Sequence, residues 1–127
     1  MIMEKLKFIN EQMEAIAVPY EFDVWTSEIK YPYFVGEITE DPTITEDGRE
    51  SSTMLLTGFT RGKMIDLLTV MEKIKSHFSP VHGLRGNTDS GSSIAVFFDG
   101  YFNVPSGEAD LKKIQINLKI YEWKGAI

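Results

Sequence analysis

The sequence predicts an α+β domain: a mostly antiparallel β-sheet with two amphipathic helices packed on one face. Two apolar stripes at helical spacing, one at the N-terminus and one mid-chain, give the helices. The other apolar segments alternate with a period of two, as half-buried strands do. The order of helix, three strands, helix, then two or three strands lacks regular βαβ alternation, which argues against a doubly wound parallel sheet. The 127 residues suit one domain covering 1–127, with no repeat, low-complexity tract or linker.

Ile2, Leu6, Ile9, Met13 and Ile16 form the first stripe, with Lys5, Lys7, Glu11 and Glu14 largely off it. Pro19 ends this helix, because it has no N–H to donate and restricts the residue before it. From Tyr20 to Trp25 the residues Tyr20, Phe22 and Val24 point one way and Glu21 and Asp23 the other, which reads as a half-buried strand. Tyr31 to Ile38 is aromatic and β-branched, a second strand with Pro32 at its start or on an edge. Thr39 to Glu50 is acidic, contains Pro42 and ends near Asp47 and Gly48, so it reads as a long, mobile hairpin connection. Ser51 to Thr60 is a third strand. It carries large apolar residues on both sides, Leu55 and Phe59 against Met54 and Leu56, which predicts a central strand or one whose second face another subunit covers.

Met64, Leu67, Leu68, Met71, Ile74 and Phe78 make the clearest helical stripe, bounded by Gly62 and Pro80. Val81 to Gly91 is Gly-rich, a short strand at most and then a loop. Ser93 to Phe102 is a strand with Asp99 and Gly100 as a turn or bulge. Ile114, Ile116, Leu118 and Ile120 alternate with Gln115, Asn117, Lys119 and Tyr121, the strongest strand pattern in the chain, with one face buried and one wet.

Composition narrows the function classes. The absence of cysteine excludes disulfide scaffolds, thiolate zinc sites and cysteine nucleophiles, and is compatible with a reducing cytoplasm. No segment approaches the length of a membrane span, and charges at Glu4, Lys5, Lys7, Glu11 and Glu14 interrupt any signal-peptide core, so neither a membrane nor a secreted location is expected. A net charge of −6 gains nothing from counterion release on nucleic acid. It suits solubility, or an acidic face toward a basic protein.

Three constellations bear on chemistry. Gly58, Gly62 and Lys63 lie between a strand and a helix, where a phosphate-binding loop would lie. Only three residues separate the glycines, however, and Met64 stands where Ser or Thr would hold Mg²⁺. A helix N-terminus explains them better. His77 and His82 have no metal-ligand spacing, and a helix-end imidazole facing the carbonyl dipole accounts for His77. Glu21 and Asp23 would start roughly 6.5 Å apart on one strand face, as glycosidase carboxylates can, but an ordinary wet strand face looks the same. No catalytic residues, metal ligands or cofactor are expected.

The amphipathic N-terminal helix, the Tyr31, Pro32, Tyr33, Phe34, Val35 segment before an acidic loop, and the strand reaching Gly58, Phe59, Thr60, Arg61 and Gly62 occur in a familiar order. The second helix and the final Ile114 to Ile120 strand complete it. Over nearly the whole chain this order resembles the tail terminator, or tail-to-head joining, proteins of long-tailed bacteriophages and prophages. The resemblance implies a non-enzymatic virion protein that assembles in the host cytoplasm and forms a ring, commonly a hexamer. The ring caps the tail tube and meets the head connector, and DNA passes through its lumen without specific binding. The interface residues proposed with this reading are Tyr31, Tyr33, Phe34, Glu40, Asp41, Glu46, Asp47, Arg49, Arg61 and Arg85. The same charge fits a monomeric acidic inhibitor or immunity-type protein that masks a basic partner. A small-ligand module and an enzyme are the remaining readings.

Overall fold

The structure, a computed structural model, describes residues 2–44 and 49–123. In chain order the elements are α1 Ile2–Ala15, β1 Tyr20–Phe22, β2 Tyr33–Ile44, β3 Arg49–Thr60, α2 Met64–His77, β4 Leu84–Asn87, β5 Ser93–Asn103 and β6 Lys112–Trp123. The strands form one sheet in the order β1-β2-β3-β6-β5-β4. Every pairing is antiparallel except that of β1 with β2. The α+β class and the mostly antiparallel sheet are as the sequence predicts.

Both helices lie on the face formed by the even-numbered residues of β3 and β6. Met54 and Leu56 join Ile114, Ile116, Leu118 and Ile120 there, all fully buried, with Phe8, Ile9 and Met13 of α1 and Leu67, Met71 and Ile74 of α2. The strict alternation of β6 forces this choice, since all four of its aliphatic side chains point one way. Gly58 is required in the same layer, because a Cβ there would lie 2.4 Å from the ring of Phe34. That ring fills the space a side chain on β3 would take.

Several expectations are corrected. The predicted strand Tyr20 to Trp25 stops at Phe22: Asp23 has a positive φ of 71°, and Phe22 and Val24 are exposed. The segment Thr39 to Glu50 is not one long connection. β2 continues to Ile44 and β3 starts at Arg49, with a register shift between Glu40 and Ile44 that absorbs the irregular stretch around Pro42. Asp47 and Gly48, read as the turn, lie outside the described residues. Lys5 is not off the buried stripe of α1. It is 1% exposed, while Ile2 is exposed. The bulge expected at Asp99 and Gly100 is present, between Phe98 and Tyr101 on β5.

Candidate assembly interface

Odd-numbered residues of β2, β3 and β6 point away from the helices. Register places Tyr33 opposite Phe59, Val35 opposite Thr57 and Glu37 opposite Leu55. On the other side of β3, Phe59 faces Lys113, Leu55 faces Asn117 and Thr53 faces Lys119. Neither helix covers this face among the described residues, and its large side chains are half-buried rather than buried.

Aromatic side chains collect at two ends of this open face. At the β1 end, Trp25 and Phe59 flank Tyr33 with ring centroids 4.8 and 5.1 Å away, and Tyr31 is at 5.7 Å. Lys113 stands over Phe59 at 5.6 Å. A depression of about 370 Å³ lies here, with Trp25, Tyr33, Phe59 and Gln115 in its lining. At the β4 end, Tyr121 contacts Phe97 at 5.9 Å and Trp123 at 6.2 Å. The Arg49 guanidinium lies 4.9 Å from the Tyr121 ring and that of Arg85 6.0 Å from Phe97. A second depression of about 390 Å³ is lined by Pro80, Phe97, Phe98, Asp99, Lys119 and Tyr121.

The residues proposed from sequence separate into groups. Tyr31, Tyr33 and Arg61 come together: Arg61 Nε donates to the Tyr31 hydroxyl at 3.1 Å, while its other nitrogens bind Glu108 at 2.8 Å and Asp110 at 2.9 Å. The guanidinium of Arg61 holds the Asp110 carboxyl below its usual range. This fork ties the start of β2 to the β5–β6 connection. Arg49 and Arg85 lie at the other aromatic end. Asp41 accepts from Lys119 at 3.2 Å, across the open face. Glu40 points to the helix side and binds Lys5 at 3.2 Å. Phe34 is a correction: at 0% exposure it belongs to the core, because its even position on β2 turns it under the helices. Glu46 and Asp47 lie outside the described residues.

Sequence reasoning missed Trp25, Lys113, Phe97, Tyr121 and Trp123. For Tyr121 and Trp123 the period of β6, continued from Lys119, puts both on the open face. Trp25 was hidden by the assumption that β1 runs on to it.

The three chemical constellations have structural roles. Thr60 Oγ1 accepts from the Gly62 N–H at 3.1 Å in the turn before α2. His77 Nε2 lies 2.8 Å from Gln12 Oε1, joining the end of α2 to α1, and burial pushes the imidazole pKa down. The Glu21 carboxylate accepts from Thr26 Oγ1 at 2.7 Å and from the N–H groups of Thr26 and Ser27 at 3.1 and 3.2 Å. The Thr26 and Ser27 bonds pull its pKa down to about 2. It therefore shapes the β1–β2 connection, and Asp23 leaves the strand. Among the described residues no three His, Asp or Glu side chains are grouped to hold a metal ion, and no helix is long and apolar enough to cross a membrane.

No known protein family matches the chain, and no curated protein matches it.

Proposed function

We propose that the chain is a non-enzymatic structural subunit of a phage or prophage virion: a tail terminator that forms a ring, caps the finished tail tube and presents a surface to the head connector. One observation carries the reading. The open face places Tyr33, Leu55, Phe59, Phe97, Tyr121 and Trp123 half-buried on four strands, with no helix over them among the described residues. Aromatic residues enriched at a surface, with arginine among them, are the composition of interface centres. The order of elements and the Tyr31 to Val35 segment direct this general reading toward the tail terminators. The negative charge suits a lumen that DNA crosses without sticking.

The test is assembly. Negative-stain microscopy of the protein with its cognate tail tube protein should show rings at tube ends. Tyr33→Ala should leave circular dichroism unchanged and abolish capping, and a complementation assay should give tails of uncontrolled length. Normal-length, head-joined tails from this variant, or a wild-type protein that stays monomeric and ignores tubes, overturns the assignment. The second outcome favours the acidic inhibitor.

A further inference from the structure

The sheet ends in two short strands that leave their neighbours half covered. β1, three residues long, lies beside Phe34, Val35 and Gly36 of β2, and no described strand lies beside β2 from Glu37 onward. β4, four residues long, lies beside Ser93 to Val96 of β5, and no described strand lies beside β5 from Phe97 to Asn103. The register carries each step across the sheet. Phe34 is level with Gly58, Ile114 and Asn103, and Gly36 with Leu56, Ile116 and Tyr101. The rows that β1 fills at one edge are therefore the rows left bare on β5 at the other. Leu84 is level with Val96, Ile120, Ser52 and Glu40, so β4 in turn fills rows left bare on β2. Both short strands run in the direction of β2 and β6.

The peptide groups match as well. The Val104 N–H bonds the Lys113 carbonyl at 3.0 Å, so Phe102 and Val104 face β6, and Tyr101 and Asn103 turn their peptide groups outward. The Asp23 N–H bonds the Gly36 carbonyl at 2.8 Å, so Glu21 and Asp23 face β2, and Tyr20 and Phe22 turn theirs outward. Such an edge is a template for another strand unless charge or proline blocks it, and Tyr101 to Asn103 carry neither. Phe22, Tyr101 and Phe102 are each more than 40% exposed. Further along β5 the Phe98 N–H is already taken by the Phe78 carbonyl at 2.8 Å. β1 ends before that row, because the positive φ of Asp23 turns the chain.

We infer that β1 of one copy adds to β5 of the next as an antiparallel strand, Tyr20 opposite Asn103 and Phe22 opposite Tyr101. At both pairs outward peptide groups meet. The Phe22 carbonyl already accepts from Val24 at 2.9 Å and has a second lone pair to offer. In the same junction β4 of the second copy enters the step beside β2 of the first. Pro42 has no N–H to give there, so the bonds are concentrated in the β1–β5 half. On the open face Phe102 meets Glu21 of its neighbour, next to the connection that carries Trp25 over Tyr33. The agreement of register, direction and peptide orientation between the two edges of one chain is what selects a second copy as the occupant. The contact is heterologous, because one edge meets a different edge, and such contacts propagate until they close into a ring. The inference rests on the assembly reading above and names the strands that make it.

Sedimentation velocity tests it with two variants at exposed positions. F22K/Y101K sets lysine opposite lysine at every junction, and F22E/Y101K sets glutamate opposite lysine. The wild type should assemble as concentration rises. F22K/Y101K should stay folded by circular dichroism and associate about tenfold more weakly than F22E/Y101K, since both lose the same two rings and differ only in the charges that face each other. Hydrogen exchange on the wild type gives a second readout. The amides of Tyr101 and Asn103 should slow by about tenfold or more between dilute and assembled protein, and this comparison decides if F22K/Y101K does not fold. Wild-type assembly with the two variants associating equally, or with those amides exchanging at an unchanged rate, overturns the edge contact and leaves the ring reading standing. Assembly that stops at dimers also overturns the contact, because two different edges propagate. A wild type that never self-associates overturns both.

Discussion

Lys5 shows how a single side chain can be misjudged from the type of residue it is. Its ammonium, 1% exposed, lies 3.2 Å from Glu40, 3.6 Å from Glu122 and 3.7 Å from Glu50, and donates to Ser52 Oγ at 2.9 Å. Glu122 is 0% exposed. A buried pair of this kind adds little net stability, because desolvation offsets the attraction, but removing one partner strands the other charge. Lys5→Ala should therefore cost about 3–5 kcal/mol in denaturant melts. Adding Glu122→Gln to it should recover part of that loss, giving a coupling of about 0.5–3 kcal/mol in a double-mutant cycle. Strictly additive losses would show that Lys5 and Glu122 do not sense each other. Part of the cluster follows from spacing. Lys5 stands three and four residues before Phe8 and Ile9, on the face that continues to Met13. Glu122 extends the buried series of β6 by one step, and Ser52 does the same on β3, whereas Glu40 and Glu50 lie where the sequence reads as a loop. The apolar stripe was started from Ile2 because a lysine was assumed to be wet.

At the scale of elements, periodicity located what burial dictates and failed where polar residues pair in strands. α2, β3 and β6 were readable because an apolar face must point at the core, which fixes both type and direction. The outer ends of β2 and β3 were not, since Glu40, Asp41, Glu50 and Ser51 look like a loop. Their ladder is held by backbone bonds, and the ion pairs Lys5–Glu40 and Lys119–Asp41 compensate the acid residues. The β1–β2 connection differs in the opposite sense: alternation through Val24 reads as strand, while the positive φ of Asp23 turns the chain. Its geometry depends on the ionised Glu21. The carboxyl is held down at about 2 by the Thr26 and Ser27 hydrogen bonds, against an ordinary value of 4.5. A depressed pKa means that the ordering is complete above the ordinary value and is lost as pH falls through the folded one. The amide shifts of Thr26 and Ser27 should therefore titrate with a midpoint near 2, and Glu21→Gln should remove that titration. A midpoint near 4.5 would mean that the carboxylate is free in solution.

For the whole molecule, the fold would couple stability to assembly if copies meet on the open face. Two helices cover one face of the sheet, and the Leu67, Met71, Phe8 and Ile9 contacts satisfy it. The other face leaves Leu55, Phe59, Tyr121 and Trp123 half in water, and the β1–β2 connection leaves Val24 and Ile29 largely in water. If copies bury these surfaces on one another, the folded state is the only one that associates. Mass action then raises apparent stability with concentration, by RT ln(1 + [L]/Kd) for one site, about 2.7 kcal/mol at a hundredfold excess over Kd. The melting temperature of the wild type should accordingly climb as protein concentration is raised a hundredfold, while that of Tyr33→Ala stays flat. A wild type whose melting temperature does not move with concentration would mean that the open face is stable in water, and that this chain works as a monomer on another partner.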